Sequence, residues 1–180
     1  IRSVEYDSRN PKTATMVIDE ILPKVKAKYN ISDDPNDHLI AGNSSGGNAA
    51  FSVAWERPDV FRRVFTGVGS YTSLRDGHKF LTLIRKTERK PLRIYLQDGS
   101  NDLDNFSGNW FLANQYMLSS LEWAGYEVNH TWGEDTHGYR HAGAIMPDIL
   151  RWLWKDYPKP IGKTKVNKHE KQILKEGKSW

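Results

Sequence analysis

The segment Gly42-Asn43-Ser44-Ser45-Gly46 has the form G-x-S-x-G. A serine hydroxyl is a weak nucleophile until a neighbouring base takes its proton. In this motif a strand turns abruptly into a helix, with the serine held at the apex in a strained conformation. Glycines on either side let the two backbones approach without Cβ clashes. The Ser44 hydroxyl would then stand exposed, and the N–H of Ser45 would point where an oxyanion forms. Two other readings compete: a Gly/Ser-rich turn without chemistry, and a phosphate-binding turn at a helix N-terminus.

A nucleophilic serine needs a base, and the base needs an orienting carboxylate. After such an elbow the acid precedes the histidine in the chain, and both belong in loops at the same sheet edge. Asp102 closes the turn 98–102 after the strand 92–97, and His137 lies in the loop 133–139 after the strand 127–132. Asp98 is the rival acid; so close to the strand end, it is expected to brace the turn. His141 is the rival base, expected to line the site or cap the last helix. His137 and His141 are spaced i, i+4, as a metal pair on one helix face would be, but Gly138 stands where a H-E-x-x-H site has Glu. No metal and no cofactor are expected. His38, His78, His130 and His169 are read as structural or solvated. Tyr71 and Trp110 are candidates for lining a substrate cleft, whereas Trp152 and Trp154 are expected to dock the last helix on the sheet.

These residues need an alternating scaffold. Apolar residues at helical spacing run from Lys12 to Tyr29, with Pro23 inside, which predicts a kink or a break into two helices. A short buried strand at 38–42 precedes the elbow, and a helix of small residues follows it as far as Arg57-Pro58. A second strand spans 64–70. A short helix is expected around 80–84, then the strand 92–97, a helix over 110–124 with Gly125 as its C-cap, the strand 127–132, and a last helix over 143–154. Strands alternating with helices define an α/β fold with a largely parallel sheet.

The chain has 180 residues, enough for one domain with a sizeable core. Its 12% aromatic content argues against disorder. Cys is absent, which excludes disulfides and thiolate metal sites. No run approaches the ~20 apolar residues of a membrane span. The net charge of +4 equals that of residues 161–180 alone, which hold six Lys and two Glu. The basicity therefore belongs to a C-terminal tail, and neither nucleic acid nor membrane is expected as a partner. Ile1 leads straight into charged sequence, and a chain starting inside a longer protein is expected.

Glu20-Ile21-Leu22-Pro23, Ala41 to Gly47, the strand-turn Leu96 to Asp102, and His137 with Pro147-Asp148 downstream resemble the enterochelin-esterase-like family. This is a branch of the α/β-hydrolases that also holds esterase-D-like, feruloyl and acetylxylan esterases. The resemblance covers about residues 1–157. It implies the C-terminal half of an α/β-hydrolase domain, with Ser44 as nucleophile, Asp102 as acid, His137 as base and Ser45 as one oxyanion donor. The spacing from His137 to Pro147-Asp148 resembles the family's and favours His137 over His141. Where members often carry Gly-Gly-His, this chain has Asp135-Thr136-His137. The family's first strands and second oxyanion donor would lie upstream of Ile1. Residues 1–158 are taken as the esterase domain and 159–180 as a basic linker. The linker is similar to a lead-in to a gluconolactonase-like β-propeller, so a fused C-terminal domain and an exported protein are expected. The implied substrate is a small-molecule or carbohydrate ester, with siderophore, feruloyl, acetyl-sugar and lactone esters all open. A non-catalytic carbohydrate- or partner-binding module, and a lactonase or acyltransferase on the same three residues, are the alternatives.

Overall fold

The computed structural model describes residues 2–162. Within them, four parallel strands form one sheet in the order β1-β2-β3-β6: β1 (Leu39–Asn43), β2 (Arg63–Gly67), β3 (Arg93–Asn101) and β6 (Glu127–Thr136). The helices α4 (Ser45–Glu56), α5 (Phe80–Lys86) and α6 (Trp110–Trp123) cover one face, and α7 (Arg140–Leu153) covers the other.

Strand periodicity explains the two layers. On β2 and β3, Val64, Ile94 and Leu96 point to one face and join Phe51, Trp55, Phe80, Ile84, Met117 and Leu121. Phe65 and Tyr95 point to the other and join Ala142, Ile149 and Leu153 of α7. Central strands buried on both sides lose the apolar–polar alternation, and β2 is buried at every position. Phe51 meets Phe80 edge-on at 5.0 Å. Among the described residues β1 has no second neighbour strand and is less buried than β2.

The helix α4 lies close to the sheet because its first turns are small. A Cβ on Gly47 would stand 3.2 Å from the Gly42 carbonyl oxygen and 3.3 Å from Thr66 Cβ. The helix stops at Arg57, which is forced out of helical geometry (φ −129°, ψ 63°) ahead of Pro58.

The first helical region does not break at Pro23. The segments α2 (Lys12–Thr15), a π-helical turn (Met16–Ile21) and α3 (Leu22–Lys26) follow one another directly. The wide turn lets the Leu22 N–H donate to the Val17 carbonyl five residues back, which accommodates a proline that has no N–H and would crowd a carbonyl in α register. Other differences are one short helix, α1 (Arg2–Tyr6), and a two-stranded hairpin of β4 (Asp104–Asn105) and β5 (Gly108–Asn109).

The strands β3 and β6 run several residues past their apolar cores, because pairing between them continues to Asn101 opposite Thr136, with a register irregularity between Gly99 and Asn101. Gly99 is required there: a Cβ would fall 1.9 Å from the Asp135 carbonyl oxygen. The packed structure extends to Ile161, whose N–H donates to Asn36 Oδ1 at 2.9 Å. The Lys-rich tail beyond residue 162, including His169, lies outside the described residues. No helix among the described residues is long and apolar enough to cross a membrane.

Candidate active site

Ser44 is the last residue before α4 and has φ 56°, ψ −128°, a conformation costly for a side-chain-bearing residue. Backbone bonds hold it there. Its N–H donates to the Gly67 carbonyl at 2.9 Å, and its carbonyl accepts from Gly47 (3.0 Å), Asn48 (3.2 Å) and Ser70 (3.1 Å). Close approach of β1 to α4 makes the turn possible, since a Cβ on Gly42 would stand 2.1 Å from the Gly46 carbonyl oxygen. By contrast, a Cβ on Gly46 would meet nothing within 4 Å.

The terminal pairing of β3 with β6 brings the other two residues to the elbow. Asp102 and His137 each follow directly on the last paired residues, Asn101 and Thr136. His137 Nε2 lies 2.8 Å from Ser44 Oγ, and His137 Nδ1 lies 2.6 Å from Asp102 Oδ1. Asp102 Oδ1 also accepts from the Leu103 N–H at 2.6 Å. The Asp102 side chain is shut off from solvent, while His137 is 23% exposed. Burial pushes the Asp102 carboxyl up, but hydrogen bonds from His137 and Asp98 outweigh it and hold the group below the usual carboxylate range. An ionised carboxylate on Nδ1 directs the imidazole proton to that side and leaves Nε2 free to accept from Ser44.

Ser45 opens α4, where the first N–H groups have no intrahelical partner, so its amide is available beside Ser44. Its hydroxyl donates to Asp7 Oδ2 at 3.0 Å, and both residues are buried. Trp110 is buried and does not line a cleft as expected: it backs the base, edge-on to His137 at 5.9 Å, and its indole N–H donates to Ser70 Oγ at 3.2 Å. Ser70 Oγ is in turn 3.4 Å from Ser44 Oγ.

The two rival residues have other partners. Asp98 is buried against Gly99 and Asn114 and does not reach His137. His141 sits in α7 with Nδ1 3.1 Å from Gln97 Nε2, and its ring fills the space over Gly133. Since α7 begins at Arg140, His137 is in the preceding loop, and the i, i+4 spacing does not put the two histidines on one helix face. Tyr71 does not line the cleft. It is fully buried and meets Phe51 edge-on at 6.2 Å, because Gly69 leaves room for its ring to fold back into the core. Burial also pushes the Tyr71 hydroxyl up, away from acid–base work near neutral pH. Two site neighbours, Ser70 and Asp7, went unread in the sequence. Ser70 carries a weak signal, a Gly-Ser step at the end of a strand parallel to β1, whereas nothing local marks Asp7.

A parallel sheet with helices on both faces, and a Ser-His-Asp line assembled at the C-terminal strand ends, define an α/β-hydrolase. The chain matches the Esterase family over residues 2–142 and belongs to it. It is 30% identical over 156 residues to the iron(III) enterobactin esterase of Dickeya dadantii, covering 76% of this chain and 34% of that protein. Among solved structures it is similar to the ferric enterobactin esterase of Salmonella typhimurium (25% identity, TM-score 0.71, 86% of this chain and 39% of that one). It also shares the fold of a ferulic acid esterase (17% identity, TM-score 0.64, 77% of this chain and 61% of that one). The chain thus spans little more than a third of the length of its enterobactin esterase relatives.

Proposed function

We propose that this chain carries the reacting groups of a carboxylic-ester hydrolase that works through an acyl-enzyme on Ser44. The observation that carries the reading is the continuous line Asp102 Oδ1, His137 Nδ1, His137 Nε2, Ser44 Oγ, with gaps of 2.6 and 2.8 Å. His137 takes the Ser44 proton as Oγ attacks the ester carbonyl carbon. The Ser45 N–H donates to the oxyanion, and Asp102 stabilises the imidazolium. Collapse of the tetrahedral intermediate breaks the bond to the alcohol oxygen, which takes the proton from His137. Water, deprotonated by His137, then attacks the acyl-enzyme and frees the acid and Ser44. None of these steps calls for a cofactor.

The relatives, esterases of enterobactin and of ferulic acid by name, favour esters of phenolic acids as the small-molecule substrate class. The same reading takes residues 1–158 as the hydrolase domain, with no role for nucleic acid or membrane. A binding module would have no need of a strained serine aligned with a carboxylate-braced imidazole.

The test is p-nitrophenyl acetate hydrolysis and fluorophosphonate labelling by the protein, Ser44→Ala and His137→Ala, with folding followed by circular dichroism. Loss of both signals in folded variants is expected, with kcat reduced at least about a thousandfold. A folded wild-type protein that neither turns over ester nor labels would sink the reading.

A further inference from the structure

Asp98 is the buried titratable group next to the site that the mechanism leaves unused. Its side chain has no solvent exposure at the end of β3. One oxygen, Oδ1, accepts from the Gly99 N–H at 2.7 Å, and Oδ2 accepts from Asn114 Nδ2 at 2.7 Å. The carboxyl also faces that of Asp102, near enough for a hydrogen bond between them once one of the two holds a proton. On Asp102, Oδ1 already takes Leu103 and His137, while Oδ2 is buried and receives no N–H or hydroxyl hydrogen among the described residues. A buried carboxylate oxygen without a donor is costly, and the adjacent acid can supply one only if it is protonated.

Two carboxyls in hydrogen-bond contact away from water do not both ionise. Their partners decide which keeps the proton. Asp102 faces an imidazole that gains positive charge in the reaction. Asp98 faces the neutral Gly99 amide on its own strand and the neutral Asn114 from α6, and the charged group acting on it is Asp102.

We propose that Asp98 is a positioning residue, held as the neutral acid, that donates its O–H to Oδ2 of Asp102 and so locks the carboxylate on His137. This rests on the reading of Asp102 as the acid of the esterase site. Burial, followed by the hydrogen bond and charge of Asp102, pushes Asp98 up to about 9. The donor adds no second negative charge beside the base, and it fixes the plane of Asp102 so that Oδ1 stays aimed at Nδ1. Asn114 holds the arrangement from behind, its amide nitrogen also reaching the Gly69 and Trp110 carbonyls at 2.9 and 3.0 Å.

The experiment is a carbon NMR titration of the protein labelled at aspartate Cγ, with kcat/KM for p-nitrophenyl acetate measured against pH. Wild type, Asp98→Asn and Asp98→Ala are compared. One Cγ signal should keep its protonated position through neutral pH and titrate near 9, and be missing in either variant. Wild-type kcat/KM should fall as that group ionises, and Asp98→Asn, which still donates an N–H, should lack the fall. Near neutral pH, Asp98→Asn should lose about threefold and Asp98→Ala about tenfold or more. An Asp98 signal that is already that of a carboxylate at neutral pH overturns the proposal, and so does the same alkaline fall in Asp98→Asn. The titration needs no turnover, so the two failures separate. An Asp98 that titrates as an ordinary carboxyl while Ser44→Ala abolishes activity refutes the positioning role alone. An inactive, unlabelled wild type refutes the esterase reading and with it this role.

Discussion

The two motif glycines should respond oppositely to a single methyl group. A Cβ on Gly42 would lie 2.1 Å from the Gly46 carbonyl oxygen, 2.3 Å from its carbon and 2.9 Å from the Gly47 nitrogen, all backbone atoms in the first turn of α4. Ordinary contact starts at 3.4 Å, so β1 and the helix would have to separate by more than an ångström. That movement strains the bonds from Gly47 and Asn48 to the Ser44 carbonyl, which hold the serine at positive φ. Each buried backbone bond left unmade costs about 1–3 kcal/mol, so Gly42→Ala should lose about 2–6 kcal/mol. A chain of this size then melts roughly 5–20 °C lower. At Gly46 a Cβ meets nothing within 4 Å, and the residue is helical with no positive φ. Gly46→Ala should therefore hold or gain up to about 1 kcal/mol from helix propensity. Thermal unfolding by circular dichroism, paired with the rate of fluorophosphonate labelling of Ser44, reads both effects. Full labelling of Gly42→Ala at an unchanged melting temperature, or collapse of Gly46→Ala, would refute the assignment of the elbow's tightness to its first glycine.

Trp110→Phe keeps a ring beside His137 but removes the N–H donated to Ser70 Oγ, so kcat/KM should fall about three- to tenfold with little loss of stability. Equal steady-state rates for the two proteins would leave the indole with packing alone. The raised Asp98 also makes stability depend on pH. Its contribution is fully present below the unfolded-state value of about 4 and is lost as pH rises through about 9, at up to about 1.4 kcal/mol per pH unit. Asp98→Asn has no such proton to lose, so its melting temperature should gain on wild type steadily from pH 5 to pH 8.5. A constant difference across that range would contradict a protonated Asp98.

What could be read from the sequence was whatever a local pattern enforces. The elbow is legible because strand, sharp turn and small-residue helix are contiguous, and because Gly42 and Gly47 are steric requirements of that turn. The α/β alternation follows in the same way from apolar periodicity. Strand ends were less legible. The strands β3 and β6 are extended by polar residues, Asp98 to Asn101 and Gly133 to Thr136, which pair because the partner strand is there and not because their side chains favour a sheet. The β4–β5 hairpin and the π turn before Pro23 are tertiary solutions of the same kind.

The fate of the side chains around Ser44 shows where local reading stops. Tyr71 and Trp110 both follow strand ends, and both were candidates for the cleft. Both are buried instead, in different places: a glycine two residues before Tyr71 lets that ring turn inward against Phe51, while Asn109 caps α6 and sets Trp110 behind His137. Asp98 and Asp102 are four residues apart in one turn and look interchangeable as partners for the base. The bulge at Gly99–Asn101 re-aims the chain between them, so that one carboxyl meets the imidazole and the other is sealed behind it against Asn114. Chemical role here is decided by a backbone irregularity that two strands create together, and that no spacing rule within a single strand encodes.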